Sequence, residues 1–270
     1  MNPVKKKLIP FSILLLFSFS NPLLAQENDT VKAVITYAFS HLRDTTKGSQ
    51  PYTENMDLLL SANSSWYKSA DKAEIDSITA ANFKASGYKV INNIPYTREQ
   101  LFLNFTDHKL FIKDRFLDDY LMEDAWPAIT WQIVDETSTI SGLNCQKAIG
   151  EWKGRTYTAW FSNELPYQAG PWKLNGLPGL IIEAYDTNKE IVFKFAGFRT
   201  LINNPEVIQV PTKVIKTTIK EYNQMKDAFY QDLKGSVNAA TGKTTIVNIN
   251  STFSKNSKRG MNNPLELHGN

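Results

Sequence analysis

The side chains that most often carry catalysis are few and widely spaced in this sequence. His41, His108 and His268 are far apart and form no H-E-x-x-H pair, so no zinc-peptidase frame is visible. We therefore predict that each is an ordinary surface or loop histidine. Cys145 is the only cysteine. It could be a nucleophile or a small buried apolar side chain, and its strand-like surroundings favour the second interpretation.

Three short patterns suggest chemistry but lack the residues that would complete it. Ser65–Lys68 matches S-x-x-K, yet neither a K-T-G nor an S-D-N partner accompanies it. Thr241–Thr244 contains the end of a P-loop without its first glycine, and we interpret it as a turn. The four acids within residues 118–124 could hold Ca²⁺, but their spacing differs from that of an EF-hand, which favours a solvated face. We predict no catalytic, cofactor-binding or metal-ligating residue.

The N-terminus has the features of an export signal. Three lysines, Lys5–Lys7, precede an uncharged apolar run over residues 8–24, and Ala25 supplies the small residue expected before a cleavage site. A membrane anchor is the alternative, but Pro10 and Pro22 interrupt a run that is short for a bilayer span. We expect an exported, periplasmic or cell-envelope protein that keeps no transmembrane anchor after cleavage.

Composition limits the class of partner. Cleavage of residues 1–25 removes three of the 30 basic side chains and none of the 27 acidic ones, so residues 26–270 are formally neutral. This balance argues against nucleic-acid binding. With a single cysteine no intramolecular disulfide can form, and the length suits one β-rich domain with its own core over residues 26–270.

Hydrophobic patterning predicts a mainly β fold. The segments with strand patterning are Val31–Phe39, Met56–Ala62, Ser64–Ser69, Arg98–Asp107, Lys109–Leu117, Trp131–Asp135, Cys145–Trp152, Arg155–Ser162, Leu180–Tyr185, Glu190–Phe198, Val207–Val210 and Thr244–Phe253. Two helices are predicted, at Asp71–Ser86 and at Ile219–Leu233, where apolar residues recur every three or four positions. The simplest architecture is a single curved antiparallel sheet, or an incomplete β-barrel, with about two helices.

The stretch GPWKLNGLPGLI, residues 170–181, allows two interpretations. Glycine-rich loops can cradle phosphate, whereas interleaved Pro, Gly and bulky apolar residues can build a self-packed corner. Asn175-Gly176 suits a tight turn with positive φ, and Pro178-Gly179 suits a type II turn with the glycine in the left-handed position. Hairpin patterns flank the stretch on both sides. We predict a structural corner between these hairpins.

The same stretch resembles a family signature. Gly176, Leu177, Pro178, Gly179, Leu180 and Ile181 match the motif that names the GLPGLI family of Bacteroidetes. Further family-like positions are Cys145, Lys147, Gly154, Arg155, Tyr157, Trp160, Gly170 and Pro171. The resemblance implies an exported protein of unestablished biochemical function, of a kind often encoded near TonB-dependent transport systems. It supplies no catalytic residue.

These observations favour a non-enzymatic binding or accessory protein. The hairpin succession is similar to the curved sheet of periplasmic lipoprotein carriers, an analogy of fold alone. The expected partner is an apolar or peptide-like ligand, or an outer-membrane transporter. The alternatives are an envelope hydrolase with a carboxylate-based site and a structural subunit of a TonB-dependent transporter. An open pocket behind the central hairpins would favour ligand binding over a purely structural role.

Overall fold

Strands dominate the computed structural model, which describes residues 29–46, 48, 50–86, 96–201, 206–231 and 262–267. In these residues the elements are β1 (Ala33–His41), β2 (Tyr52–Leu60), β3 (Ser64–Ser69), α1 (Asp71–Ser86), β4 (Gln100–Asn104), β5 (Lys109–Arg115), β6 (Asp119–Asp124), β7 (Trp131–Ile140), β8 (Leu143–Trp152), β9 (Arg155–Ser162), β10 (Leu180–Asp186), β11 (Ile191–Thr200), β12 (Ile215–Thr217) and α2 (Ile219–Gln231). The predicted mainly β class with two helices is confirmed. The predicted export signal, the P-loop-like turn and the strand at Thr244–Phe253 lie outside the described residues.

All twelve strands of the described residues belong to one sheet. Their order is β12-β6-β5-β4-β3-β2-β1-β11-β10-β9-β8-β7. Every neighbouring pair is antiparallel except β12 with β6, which is parallel. The sheet consists of two runs of sequential strands, which the pairing of β1 with β11 joins.

Local turn chemistry explains two of the hairpins, one of which, β8–β9, the sequence predicts. Lys153 and Gly154 join β8 to β9 with φ of 47° and 82°, and Ser141 and Gly142 join β7 to β8 with φ of 53° and 83°. Two successive positive φ angles characterise the two-residue turn whose twist matches that of paired strands. Glycine occupies the second position of both turns because it adopts this conformation without steric cost.

The short connection between β6 and β7 requires the sheet to curve. These strands are ten intervals apart in the sheet order, which would separate them by about 48 Å if the sheet were flat. Only residues 125–130 join Asp124 to Trp131, and an extended chain of that length reaches about 24 Å. The two sides of the sheet therefore approach each other, although among the described strands no pairing closes it into a barrel.

The two faces of the sheet differ in how much apolar surface they bury. Alternate residues of β1, from Ala33 to Phe39, point into a large cluster that also receives side chains from β2, β6, β8 and β10. This cluster lies on the concave face. A smaller cluster around Val34, Leu59 and Phe102 covers part of the outer face. Such one-sided burial is what period-two alternation encodes.

Helix α2 begins with a reciprocal cap and packs next to β6. The Glu221 backbone N–H donates to the Thr218 hydroxyl, while the Glu221 carboxylate accepts from the Thr218 backbone N–H. This capping box satisfies two helix-start donors. The Tyr222 hydroxyl donates to Asp114 at 2.7 Å and its ring contacts Tyr120. Neither described helix has the length and apolar character needed to span a bilayer.

The predicted strand at Val207–Val210 is wrong. Only one isolated bridge forms there, between Val207 and Thr30. Both edges of β1 already pair with β2 and β11, so the residues just before β1 are the available partner. Ile208 still packs on the outer-face cluster, which accounts for the apolar pattern that suggested a strand.

Candidate functional site

The segment between β9 and β10, residues 163–179, enters the concave face; we call it the inner segment. It buries Ala169, Trp172, Leu174 and Leu177 in the large core cluster. At its far end the Trp131 indole N–H donates to the Asn175 carbonyl at 2.7 Å. The predicted corner is therefore larger than a turn between hairpins, because it fills the space inside the curve and reaches β7 at the edge of the sheet.

A buried lysine holds the inner segment in place. Lys173 Nζ lies 2.8 Å from an Asp124 carboxylate oxygen on β6 and 2.6 Å from Glu266 near the C-terminus. The Lys173 and Asp124 side chains are 5% and 6% exposed. Burial acts to lower the pKa of Lys173, but the two carboxylates outweigh it and raise the pKa above its usual value. The sequence expectation that these acids form a solvated face is wrong for Asp124.

A buried arginine fixes the end of the chain. Arg155 donates to Asp186 at 2.8 Å, to the Pro264 carbonyl at 2.6 Å and to the Asn263 side chain. The backbone N–H of Leu267 also donates to the Lys153 carbonyl. Residues 262–267, which we call the C-terminal segment, are thereby held against β1, β9 and the inner segment. Arg155 came from the family resemblance without a role, and the structure gives it this one.

A cavity of about 180 Å³ remains on the concave face. Its apolar lining consists of Phe39, Met56, Leu101, Trp172, Phe193 and Leu265, and its polar lining consists of His41, Arg43, Tyr67, Thr97 and Glu99. The inner segment contributes Trp172 and the C-terminal segment contributes Leu265. A cavity of about 150 Å³ accommodates benzene, so this one suits a group slightly larger than an aromatic ring.

Three ionisable groups of the cavity have shifted pKa values, and for Tyr67 burial raises the pKa of the hydroxyl well above its usual value. Burial lowers the pKa of His41 to about 4, and the nearby Arg43 and Arg155 charges contribute to the decrease. Neutral His41 forms a 2.7 Å hydrogen bond through Nε2 with the Asn263 carbonyl oxygen. Burial raises the pKa of Glu99 to about 7, with Lys173 opposing the increase. At neutral pH the cavity therefore contains an uncharged histidine and a carboxyl group that is partly protonated.

Two polar atoms of the cavity residues are buried without a hydrogen-bond partner in the described part of the chain. They are the Tyr67 hydroxyl oxygen and Arg43 Nε. Tyr67 is 4% exposed, and the Arg43 guanidinium lies 3.5 Å from the centre of the Tyr52 ring. Most buried polar groups in native proteins are paired, because an unpaired one costs about 1–3 kcal/mol. Both residues line the cavity, so a hydrogen-bond acceptor bound there would pair these buried atoms after a small side-chain movement.

A larger groove of about 710 Å³ on the outer face offers less chemistry. It is lined by Asp29, Ser64 and Phe102, among others. The hydroxyls of Ser61 and Ser64 both donate to Asp29. Since these polar groups satisfy one another, we take the smaller concave cavity as the candidate site.

Comparison with known proteins supports an uncharacterised family and the fold. A family profile described as a protein of unknown function, Porph_ging, matches residues 150–183. No curated protein matches this sequence. The family match agrees with the motif resemblance, because residues 150–183 contain the GLPGLI motif and lead into it through β9. They also contain Arg155, Trp172 and Lys173.

Two solved structures of PNGF-II resemble this chain in fold. The P21 crystal form has a TM-score of 0.51 at 15% identity and covers 72% of this chain, and the C2 form has a TM-score of 0.50 at 14% identity with the same coverage. This chain spans about one third of the PNGF-II chain. At this identity the likeness concerns the fold alone.

Within the segment that matches the family profile, three glycines have different structural reasons. Gly176 has a φ of +90°, as predicted for the turn after Asn175. The predicted type II turn with Gly179 left-handed is wrong, because Gly179 is not among the residues with positive φ. A Cβ at Gly179 would instead lie 2.2 Å from the Ser162 carbonyl oxygen, so the residue permits the backbone of β9 to approach. A Cβ at Gly170 would lie 2.7 Å from the Leu174 carbonyl oxygen and from Ile181.

The other residues of the family resemblance have structural surroundings and do not line the cavity. Cys145 is buried on β8, and burial raises the pKa of its thiol. Lys147 pairs with Glu136 at 2.7 Å and lies near the Trp160 ring. Tyr157 and Pro171 are buried, and Gly154 forms the β8–β9 turn. The motif residues Leu177, Leu180 and Ile181 belong to the concave core, whereas Pro178 is exposed.

The remaining chemistry suggested by the sequence is not assembled. Lys68 of the S-x-x-K match pairs with Glu206 and lies over the Trp66 ring. Among the residues with described positions, no three His, Cys, Asp or Glu side chains are arranged to share a metal ion. His108 is an exposed turn residue as predicted. The same prediction is wrong for His41, because the C-terminal segment covers it, and His268 lies outside the described residues.

Sequence reasoning missed the polar residues of the cavity. His41 is the last residue of β1 and Arg43 lies two residues after it. Tyr67 belongs to β3, and Glu99 directly precedes β4. They share no motif and no regular spacing. The alternating pattern of β3 does place Tyr67 on one face of the strand, but only the curvature of the sheet determines what that face contacts.

Proposed function

We propose that this protein is an exported binding protein of the cell envelope, and that its concave cavity holds a small ligand with an apolar body and a polar end. The observation that carries the proposal is the pair of unpartnered polar atoms, on Tyr67 and Arg43, in a cavity that six apolar side chains also line. Ligand sites typically combine a mostly apolar lining with a few converging polar groups.

The size of the cavity limits the ligand. A volume of about 180 Å³ is smaller than the roughly 300–1,000 Å³ of typical drug-sized sites. A long acyl chain of the kind that lipoprotein carriers shelter would need more space. The proposal therefore concerns a ligand of about ten non-hydrogen atoms, or one large side chain of a peptide.

Export and envelope location belong to the proposal because of the N-terminal sequence and the motif resemblance. Lys5–Lys7, the apolar run and Ala25 have the order of a cleavable signal. Fractionation of the native host, with N-terminal sequencing of the mature protein, tests this part. A mature chain that begins after Ala25 in the periplasmic or membrane fraction is expected, and an uncleaved cytoplasmic chain would contradict it.

Native mass spectrometry tests binding directly. Protein purified without denaturation from its own host should carry an additional small mass that is released on unfolding. Leu265→Trp should remove this mass, because Leu265 lines the cavity and the larger ring would fill it. Leu267→Trp is the matched control, since Leu267 belongs to the same segment but is 47% exposed.

The binding proposal is wrong if the wild-type protein carries no additional mass in repeated preparations. It is also wrong if Leu265→Trp and Leu267→Trp retain the mass equally. Thermal unfolding of both variants shows whether the native fold persists. A transporter that co-purifies with the protein would add the accessory role expected from the sequence.

One observation favours a second candidate, a hydrolase. Burial raises the pKa of Glu99 to about 7, which suits a general acid or base. However, Glu99 is the only carboxylate among the described residues that line the cavity, and Cys145 lies outside it. Hydrolysis of envelope fragments that disappears in Glu99→Gln while binding persists would establish this function.

A further inference from the structure

We propose that the ligand carries a carboxylate, which Arg43 and Tyr67 hold, on an aromatic or branched aliphatic body. This inference rests on the proposed function, because it names the ligand class of the same cavity. Four features of the lining point to it: the type of the unpartnered groups, the charge of Arg43, the surroundings of Glu99 and the shape of the apolar walls.

The unpartnered groups favour a hydrogen-bond acceptor. Arg43 Nε can only donate, and the Tyr67 hydroxyl can donate or accept. A ligand that offers an oxygen acceptor to both would satisfy them together. An ammonium group would leave Arg43 Nε unpartnered and would place a second positive charge beside it.

The charge of Arg43 favours an anion over a neutral acceptor. In the part of the chain that the structure describes, no ion pair joins Arg43 to a carboxylate. Arg155, in contrast, has Asp186 at 2.8 Å. Charge-assisted hydrogen bonds from a guanidinium to a carboxylate are among the stronger polar contacts in proteins. A bound carboxylate would give Arg43 the partner that Arg155 already has.

Glu99 is compatible with an anionic neighbour. The charged groups that act on it are Lys173 and Lys226, together with Asp114 and Glu266. Burial among these groups raises its pKa to about 7. In its protonated form Glu99 adds no negative charge to the cavity and can donate a hydrogen bond to a carboxylate.

The apolar walls favour a compact, flat body. The Phe39 and Phe193 rings stack at 5.0 Å between centroids, with 18° between their planes. Trp172 contributes a third aromatic side chain, and Leu101 and Leu265 contribute branched ones. Aromatic side chains present large, rigid contact surfaces. A benzene ring or a branched chain of four or five carbons, with one carboxylate, matches this shape and volume.

Matched probes test the charge of the ligand. Calorimetry at pH 6.5 with purified, ligand-stripped protein would compare phenylacetate, 2-phenylethylamine, phenylacetamide and ethylbenzene, with 3-methylbutanoate as the branched acid. We expect an acid to bind at least about tenfold more tightly than the amine, the amide and the hydrocarbon, because a hydrogen bond to a charged group contributes that much or more. Equal or tighter binding of the amine, the amide or the hydrocarbon would overturn the inference.

Variants test the residues. Arg43→Gln and Tyr67→Phe should each weaken binding of the acid about tenfold. Arg98→Gln is the control, since Arg98 is exposed and does not line the cavity. If Arg43→Gln unfolds, Arg43→Lys replaces it and should weaken binding by losing the Nε donor. Unchanged affinity in both cavity variants would overturn the assignment.

The outcomes separate this inference from the proposed function. If no probe binds but native mass spectrometry still shows a mass that Leu265→Trp removes, the carboxylate inference fails and the binding function stands. If no probe binds and no such mass exists, both fail.

Discussion

The buried polar groups of the concave face form two sets that differ in how completely they are paired. Lys173 and Arg155 each contact at least two acceptors within 3 Å. Arg43 Nε and the Tyr67 hydroxyl contact none among the described residues. Both sets lie beside the C-terminal segment, so burial alone does not separate them.

Under the proposed function, the difference separates the groups that hold the fold together from the cavity groups that are available to a ligand. A fully paired charge holds two segments together and offers little to a ligand. An unpaired group costs free energy in the unliganded fold, and proteins tolerate such costs mainly where binding or catalysis makes use of them. Arg155, one of the family-like residues, belongs to the first set, and Arg43 and Tyr67, which sequence reasoning missed, belong to the second.

The largest effect is expected where the inner segment meets β9. Gly179→Val should destabilise the fold by more than about 5 kcal/mol, because a Cβ at this position would lie 2.2 Å from the Ser162 carbonyl oxygen. Urea unfolding measures the change. Gly197→Ala is the control, since no atom lies within 4 Å of its added Cβ, and it should cost less than about 1 kcal/mol. A Gly179→Val protein with wild-type stability would contradict the structural role of the segment.

Breaking the paired set should come next. Lys173→Met leaves the Asp124 and Glu266 carboxylates without their cation, and loss of one partner of a buried pair costs about 3–5 kcal/mol. Equilibrium unfolding at pH 7 measures it. Lys72→Met removes an exposed partner of Asp76 and should cost less than about 1 kcal/mol. Equal unfolding costs for the two variants would show that the buried Lys173 ion pairs stabilise the fold no more than an exposed pair does.

The pH dependence of stability tests Glu99. Its pKa is raised from 4.5 to about 7 in the folded protein, so the native state keeps a proton that the unfolded chain releases between these values. Stability due to this group is therefore highest below about pH 4.5 and falls as the pH rises to about 7.

Glu99→Gln should remove that fall, which amounts to about 1–2 kcal/mol after allowance for partial exposure. The measurement is the difference between wild-type and variant unfolding free energies from pH 4.5 to pH 8. His41 acts in the opposite direction, because its pKa is lowered to about 4, but it contributes equally to both proteins. Glu151→Gln, at an exposed site, should show a pH-independent difference, and the same result for Glu99→Gln would refute the shift.

The smallest expected effect comes from comparing a paired and an unpaired tyrosine hydroxyl. Tyr37 and Tyr67 are both buried, but only the Tyr37 hydroxyl has a partner, since it donates to the Ile181 carbonyl at 2.7 Å. Tyr37→Phe should cost about 1–2 kcal/mol, whereas Tyr67→Phe should be neutral or stabilising by up to about 1 kcal/mol. Thermal unfolding without ligand distinguishes them. A cost at Tyr67 equal to that at Tyr37 would show that its hydroxyl is already paired.

The sequence was most informative where structure depends on neighbouring residues. The β8–β9 hairpin follows from alternation on either side of Lys153-Gly154, and α2 follows from its apolar stripe and Thr218 cap. Both need only contacts within a few residues. The prediction at Val207–Val210 was wrong because an apolar run does not reveal whether a strand edge is free to pair.

The candidate site depended on contacts that no local pattern encodes. Lys173 meets Asp124, 49 positions earlier, only because the sheet curves and the inner segment crosses it. The sequence assigned Gly179 a left-handed turn position, whereas its observed constraint is the approach of the Ser162 backbone and not its own φ. Tyr67 and Arg43 became notable only once every neighbour was known to leave them unpaired.

The pairing of β1 with β11 has a consequence for how the chain folds. It matches Ala33 with Thr200 and His41 with Ile191, whereas most other neighbouring strands are consecutive in sequence. Each consecutive run can zip up through short loops, but this junction closes a loop of about 150 residues and bears a larger entropic cost. We therefore expect the two half-sheets to form first and their union at β1 to be the slow step, so that the cavity, which takes Phe39 from β1 and Phe193 from β11, is completed late in folding.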